Sequence, residues 1–595
     1  MKLNLFKIFK KLLSLLTDSE RKEAIFLLIM MLIMALLNTI GVASILPFIA
    51  VLTNPVLIET NSILNTMFEV SSFLGVKNNQ QFLFILGLIV FVLLIASLFF
   101  KIVTSFLQFK FVQMREYSIG KRLVEGYLRQ PYSWFLNRHS ADLGKTILSE
   151  VEAIVGGGFK SMMELIAQSA ITITLLILLF IADPKITFIT GLLLGGSYGL
   201  IFYFMRKFLN RIGKERLKKN KIRFTTVSET FGAIKEIKVG GLEKTFIKRF
   251  ADSAQVVAKT QVYSQVVSRI PRYILEAVAF GGGLLAILYL MDQTGSFNNA
   301  LPLISLYVFA GYRLMPALQS IYSSFASLAF ISPSLEKLTD DVSQLKKIIE
   351  NQNQGVISFS KNIILKNINY NYPNTSRIAL KNLNLCIPEK SKVGLVGTTG
   401  SGKSTIVDII LGLLEAQKGT LEVDGKVISP ENSRLWQKSI GYVPQQIFLA
   451  DDSVTANIAF GLDPKTINMS AVLEASKIAN LHNFIINEFA KGYDTKIGER
   501  GVRLSGGQRQ RIGIARALYH KPKLLILDEA TSALDNQTEQ AVMEAVNNLS
   551  KNITIILIAH RLNTVKDCDI IFKIEKGKII DKGNYEEIIN SNQQR

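Results

Sequence analysis

Six long apolar stretches, residues 24–52, 82–108, 161–182, 186–205, 274–291 and 301–331, constrain this 595-residue chain more than any other feature. Each carries few charges and comes close to the roughly 20 residues that cross a bilayer core as a helix. We therefore expect six transmembrane helices. Hydrophobic residues make up 49% of the chain, yet its formal net charge is +21, so apolar and basic residues must be segregated. Lys and Arg in short connections orient the spans. The connection after the second run holds Lys110, Arg115, Lys121, Arg122, Arg129, Arg138 and Lys145, and residues 206–248 after the fourth are dense in Lys and Arg. Both should be cytoplasmic. The connections around 53–81, 183–185 and 292–300 hold few charges and fit the outer side, which places both termini inside. Because the basic residues flank the membrane, anionic lipid is their expected neighbour and nucleic acid is not.

Ahead of the first run, Lys2, Lys7, Lys10 and Lys11 lie opposite Phe6, Phe9, Leu13 and Leu16, and Asp18, Glu20 and Arg21 follow without a small-residue cleavage site. Residues 1–22 read as an uncleaved interfacial helix. Cys386 and Cys568 fall in the cytosolic part, where a reducing milieu leaves two thiols. The membrane domain, 23–336, gives way to a polar linker, 337–355, and the strand-like run Val356-Ile-Ser-Phe opens a last domain, 356–595. There the β-branched runs 393–396, 440–443, 524–527 and 553–558 alternate with helical segments, as in an α/β sheet with helices on its faces.

Four motifs occur in order along that domain: Gly397-Thr-Thr-Gly-Ser-Gly402-Lys403-Ser404, Gln445, Leu504-Ser-Gly-Gly-Gln508 and Leu524-Leu-Ile-Leu-Asp528-Glu529. The first fits G-x-x-x-x-G-K-[ST]. Backbone N–H groups from Gly397, Thr398, Gly400 and Gly402 through Thr405 would cradle phosphates, Lys403 would reach the β- and γ-phosphates, and Ser404 would hold magnesium. Asp528, a carboxylate ending an apolar strand, is the second metal ligand. Glu529 can accept a proton from attacking water or orient it, Gln445 can sense metal and water, and His560 can bond the γ-phosphate. Ser505, Gly506, Gly507 and Gln508 open a helix whose N-terminus offers donors to a further phosphate. Tyr372, 25 positions before Gly397, either stacks on adenine or is an ordinary packing aromatic. A solvated strand end would also carry Asp528 and Glu529, and a core site would also carry His560, but the order of the motifs favours chemistry. His139, His482 and His520 show no ligand spacing.

These segments resemble the nucleotide-binding domain of ABC transporters, and the six runs ahead of them resemble the type IV, B-family exporters, so the resemblance covers the whole chain. It implies an all-α six-helix transmembrane domain followed by an α/β P-loop (ABC ATPase) domain, using ATP and Mg2+. It further implies a homodimer in which Ser505 and Gly507 of one copy close on ATP held by the other. Ser532-Ala-Leu-Asp535 resembles the family's D-loop, Glu499-Arg-Gly501 resembles an exporter-specific loop, and coupling segments are implied near 130–135 and 232–236.

The cargo must be read from the membrane half. Arg272 follows Pro271 at the head of the fifth run, and Arg313 sits inside the sixth, three residues before Pro316. A cation within a span costs about 2.5–3.5 kcal/mol on insertion scales, so it usually faces a water-filled cavity or a partner. An anionic substrate group is one such partner. A helical pair with Glu276 for Arg272, and a headgroup or interhelical contact for Arg313, are the alternatives. Ile270-Pro-Arg-Tyr-Ile-Leu-Glu276 and Tyr312-Arg-Leu-Met-Pro316 are similar to PglK-type lipid-linked oligosaccharide flippases. That resemblance implies recognition of a polyprenyl pyrophosphate by guanidinium forks. Lys101 stands a turn beyond Ser97 where that family has a second-span arginine, and it supplies charge without the fork. Ile63, Leu64, Met67, Phe68, Phe73 and Leu74 suggest an external amphipathic helix, which either meets the lipid tail, as the resemblance implies, or packs on the spans. A multidrug or peptide exporter is the rival reading. A regulatory ATPase that gates rather than pumps is disfavoured by Glu529, Ser505 and His560.

Overall fold

The computed structural model describes all residues except 1–4, 74, 295–296, 346–354, 374, 376–377, 530–538, 541–542, 545–551, 561 and 594–595, and many side chains between 275 and 303. The chain forms two compact units: Met1–Gln130 with Arg138–Ile348, and Pro131–Asn137 with Ile349–Arg595.

The first unit is helical. Its N-terminal helix α1 (Leu5–Ser14) leads to α2 (Asp18–Ala43), whose start is fixed by a capping box. Thr17 N donates to Glu20 Oε2 at 2.8 Å, and Thr17 Oγ1 accepts from Glu20 N. The apolar face of α1 differs from the expected stripe. Ile8, Leu12, Leu15 and Leu16 are buried within the unit, while Phe6 and Leu13 point outward. The helix thus has two apolar sides, and only the outward one is available to lipid.

The apolar runs continue as helices α2 with α3 (Ile45–Thr53), α5 (Asn79–Leu128), α6 (Lys160–Ala182), α7 (Pro184–Gly232), α8 (Glu243–Thr294) and α9 (Phe297–Gln344), with α4 (Ser62–Ser72) between α3 and α5. Among the described residues, four stretches, Asp18–Thr53, Asn79–Leu128, Ser140–Ala182 and Ile304–Gln344, are long and apolar enough to cross a membrane. The fourth and fifth runs lie in α7 and α8, where some side chains fall outside the described residues. Helices extend far past their apolar runs, because internal backbone hydrogen bonding needs no lipid to continue. In α4 the expected amphipathic pattern appears: Leu64 is buried, with Met67 and Phe68 packed alongside, whereas Ile63 and Phe73 are exposed. Leu74 lies outside the described residues.

Beyond the spans, buried charges lock the helices. Arg115 pairs with Glu20 at 2.7 Å and Glu23 at 3.1 Å. A π-helical turn, Thr146–Glu150, ends on Glu150, which accepts from Arg216 at 2.6 Å and Asn220 at 2.8 Å. Arg216 also donates to Ser334 Oγ at 2.7 Å, so α9 joins the same network.

The second unit is built on two sheets. One is antiparallel, in the order β2 (Ile378–Pro388), β1 (Asn362–Asn371), β4 (Lys418–Val423), β5 (Lys426–Val427). The other runs β10 (Lys578–Gly583), β9 (Ile570–Glu575), β3 (Lys392–Val396), β8 (Thr554–Ala559), β7 (Leu524–Asp528), β6 (Ile440–Val443). It is parallel except at β10. Its inner strands are buried on both faces, which accounts for their unbroken Val, Ile and Leu runs. The run Val356-Ile-Ser-Phe is not a strand. Ile357 N donates to Leu435 O in the short helix Ser433–Gln437, and Ile357 O accepts from Ser439 Oγ, so its backbone is satisfied by a helix carbonyl and a side chain while Ile357 and Phe359 enter the core.

Candidate functional site

At the C-terminal ends of the parallel strands, β3 turns into helix α10 (Lys403–Ile410) through the glycine-rich loop. Gly400 and Gly402 adopt φ of +77° and +110°, which side chains rarely tolerate. A Cβ on Gly397 would stand 2.3 Å from Ile574 O. Lys403 Nζ donates to Gly397 O at 2.7 Å and Thr398 O at 3.1 Å. Burial lowers its pKa, while Glu529 and Asp528 act to raise it.

Asp528 ends β7, and Glu529 leaves the strand with a left-handed backbone, φ +49°. That turn presents the Glu529 carboxylate to two partners. Gln445 Nε2 donates to Oε2 at 2.8 Å, and His560 Nε2 lies 2.5 Å from Oε1. Burial and the neighbouring Glu529 raise the pKa of Asp528, with Lys403, His560 and a hydrogen bond from Tyr442 opposing. Lys403, Gln445, Asp528, Glu529 and His560, scattered over the sequence, are thus gathered at one strand edge.

This edge fits magnesium bound together with nucleotide. Ser404 is exposed, Asp528 is a crowded acid that a cation would relieve, and Gln445 adjoins both carboxylates' turn. No group of three or more His, Cys, Asp or Glu able to hold a metal occurs among the described residues. Magnesium usually takes only one or two protein ligands and completes its shell with phosphates and water.

Tyr372 follows β1 and bonds Thr405 at 3.0 Å between the two hydroxyls, with its ring edge-on to Tyr370. It therefore stands beside the phosphate-loop helix. Ser505 caps helix α11 (Gly506–Leu518) in a reciprocal box: Ser505 Oγ accepts from Gln508 N at 3.2 Å, and Ser505 N donates to Gln508 Oε1 at 2.8 Å. Gly506 and Gly507 form its first turn, and Glu499–Gly501 is a 3-10 turn before it. Asp535 and the rest of Ser532-Ala-Leu-Asp535 lie outside the described residues.

Asp408, one helical turn beyond Ser404, belongs to none of the motifs. It is the one acid in Lys-Ser-Thr-Ile-Val-Asp-Ile-Ile, and an acid inside so apolar a helix was the available signal. Burial and Asp528 push its carboxyl up to about 6.

In the membrane unit the three substrate candidates do not converge through any bond among the described residues. Arg272 Nε donates to Glu276 Oε1 at 2.7 Å, the helical pair that the spacing allows. Arg313 Nη1 donates to Oδ1 of buried Asn38 at 2.7 Å, an interhelical contact. Lys101 is exposed on α5.

Comparison with known proteins agrees with this architecture. Residues 7–311 match the ABC transporter transmembrane region, and residues 380–532 match the ABC transporter ATPase family. The chain is 30% identical to an ATP-dependent lipid A-core flippase of Saccharophagus degradans, over 80% of this chain and 79% of that protein. It is 41% identical to multidrug resistance protein pgp-1 of Caenorhabditis elegans over 38% of this chain, a match spanning only 17% of that longer protein. A bacterial Atm1-family ABC exporter solved with ATP bound shares the fold, with a TM-score of 0.77 at 19% identity, over 96% of each chain. A membrane region and an ATPase on one polypeptide, joined in that order, make this chain a member of the ABC transporter family, of exporter type.

Proposed function

We propose that this exporter is an ATP-driven flippase that works as a homodimer and moves a polyprenyl-pyrophosphate-linked oligosaccharide from the inner to the outer leaflet of a bacterial inner membrane. In this reading Lys403 and the glycine loop hold the triphosphate, with Tyr372 against adenine. Ser404 and Asp528, with Gln445 beside them, hold magnesium, which neutralises charge on the β- and γ-phosphates. Glu529 orients the attacking water and takes its proton, and His560 holds both Glu529 and the γ-phosphate. Ser505, Gly506, Gly507, Gln508 and Asp535 of the second copy complete the site. The grip of Gln445 and His560 on Glu529 is the observation that carries the hydrolytic part.

For the cargo, the supporting observation is Arg313, a cation within a span that gives one of its five N–H groups to Asn38 among the described residues. The guanidinium is thereby held, with donors left for a phosphate oxygen. Arg272 and Lys101 would add charge nearby. A relative named as a lipid flippase supports a lipid cargo. The second reading, a multidrug or peptide exporter, draws on the bond from Arg272 to Glu276 and on a relative named for multidrug resistance.

Liposomes carrying a fluorescent lipid-linked oligosaccharide test the two. Wild type should flip it with ATP, Glu529→Gln should bind ATP without flipping, and Arg272→Ala with Arg313→Ala should hydrolyse ATP while flipping fails. Wild-type hydrolysis without lipid movement sinks the flippase reading in favour of the exporter.

A further inference from the structure

Helix α11, capped by Ser505, carries Gly513, Arg516 and Ala517 at the i, i+3, i+4 spacing that makes neighbours on one helix face. That face lies along the segment that delivers Gln445. At its entry, on β6, an added Cβ on Gly441 would stand 2.5 Å from Ala517 O, so strand and helix meet backbone to backbone. At its exit, an added Cβ on Gly513 would run into Ile447, whose side chain fills the space left at that glycine. The next residue is held as well: Arg516 Nη1 donates to Phe448 O at 2.8 Å.

The same guanidinium reaches further along the loop. Its Nε donates to Asn457 O at 2.8 Å and its Nη2 to Asn457 Oδ1 at 3.3 Å. Asn457, in the short helix Val454–Ile458, is fully buried and closes the loop on itself. Its Oδ1 accepts from Ala450 N at 2.9 Å, and its Nδ2 donates to Ala450 O at 3.0 Å and Ser453 O at 3.1 Å. Arg516 lies over the Phe460 ring, 4.6 Å from its centroid, and pairs with no carboxylate among the described residues. Three of its five N–H groups go to this loop, so its planar fork organises backbone rather than balancing an acid. Gln445, by contrast, is exposed and belongs to no helix or strand. What holds its side chain at Glu529 Oε2, 2.8 Å away, must come from its flanks.

We infer that Arg516 is a positioning residue for hydrolysis: by fastening Phe448 O and Asn457 to α11, it fixes the loop so that the Gln445 amide meets the Glu529 carboxylate. This rests on the hydrolytic role given to Glu529 and Gln445 under the proposed function. Arg516 bonds neither of them, so its effect belongs in kcat and runs through Gln445. A misplacement of about 1 Å caused by a distant substitution can cost roughly 10²-fold in rate.

The test uses the full-length protein in liposomes, with ATPase rates read from phosphate release. Arg516→Lys keeps the cation and loses the fork, and should lower kcat about 10-fold with KM for ATP, and ATP binding in EDTA, unchanged. In a Gln445→Ala background the same substitution should change kcat by less than about twofold, because no amide remains to be positioned. A loss of the same size in both backgrounds would show that Arg516 acts elsewhere, and overturns the inference. A wild-type kcat in Arg516→Lys overturns it too, as does a loss of ATP binding alongside kcat, which would make Arg516 part of the fold. Gly513→Ala disturbs the loop from Ile447 without touching the charge. A lowered kcat there that vanishes in Gln445→Ala supports the inference, and an equal loss in both backgrounds overturns it. If Gln445→Ala itself hydrolyses ATP at the wild-type rate, the role of Gln445 falls and the inference with it. If Glu529→Gln does so, the hydrolytic reading falls as a whole.

Discussion

Glu529 illustrates how much one backbone angle can decide. A non-glycine residue at φ +49° costs of order 1 kcal/mol, tolerated here because its N–H is bonded to Ile558 O and its carboxylate to two side chains. The neighbouring acid, Asp408, carries the pH behaviour. Its carboxyl ionises near 3.8 in an unfolded chain but at about 6 in the folded one. The folded state binds that proton more tightly, so stability falls as pH rises from about 4 through 6 and stays lower above. Partial solvent access limits the effect to about 1–2 kcal/mol. Asp408→Asn should therefore raise the melting temperature of the nucleotide-free protein at pH 7.5 and change it little at pH 4.5. An equal gain at both values would mean that charge is not the cause. Lys403, Asp528 and Glu529 were legible because their chemistry sits in contiguous segments. Asp408 was not, because its importance arises only when α10 meets β7 in space. Arg272 and Glu276, four apart on one helix, show a local pair that the sequence did carry; Asn38 and Arg313, 275 positions apart, show one that it could not.

At the scale of elements, strands β3, β6, β7 and β8 fall within a residue of the β-branched runs, because a doubly covered parallel strand must be apolar throughout. Val356-Ile-Ser-Phe has the same composition and no strand neighbour, which composition does not register. Helix lengths were hidden for a different reason: hydropathy reports lipid contact and is silent on helical extensions held by polar networks. Helices α7 and α9 approach closely at Gly213, where an added Cβ would stand 2.1 Å from Phe330 O. Gly213→Ala should push the pair apart and cost about 1–3 kcal/mol, the range for overpacking. Gly191, on α7 as well, has open space where an added methyl would sit, so Gly191→Ala should be neutral or slightly stabilising. Thermal melts of both variants in detergent provide the comparison. An equal gain in both would mean that helix propensity, rather than the approach to Phe330, governs the site.

For the whole molecule, two compact units imply two unfolding transitions rather than one. Saturating ATP with magnesium should move one of them, by about 2.7 kcal/mol at a hundredfold excess over Kd, and leave the other in place. Calorimetry with and without nucleotide reads this directly, and a common shift of both transitions would mean that the units unfold as one. The second unit is not contiguous: it takes in Pro131–Asn137, while Gln130 and Arg138 on either side belong to the first. That arrangement has a consequence for biosynthesis. The seven residues leave the ribosome about two hundred residues before Ile349, the start of the rest of their unit, a wait of about 10–40 s at ordinary elongation rates. During that interval the short helix Tyr132–Phe135 has no final home, so its unit folds only after Ile349 and the residues that follow have been made.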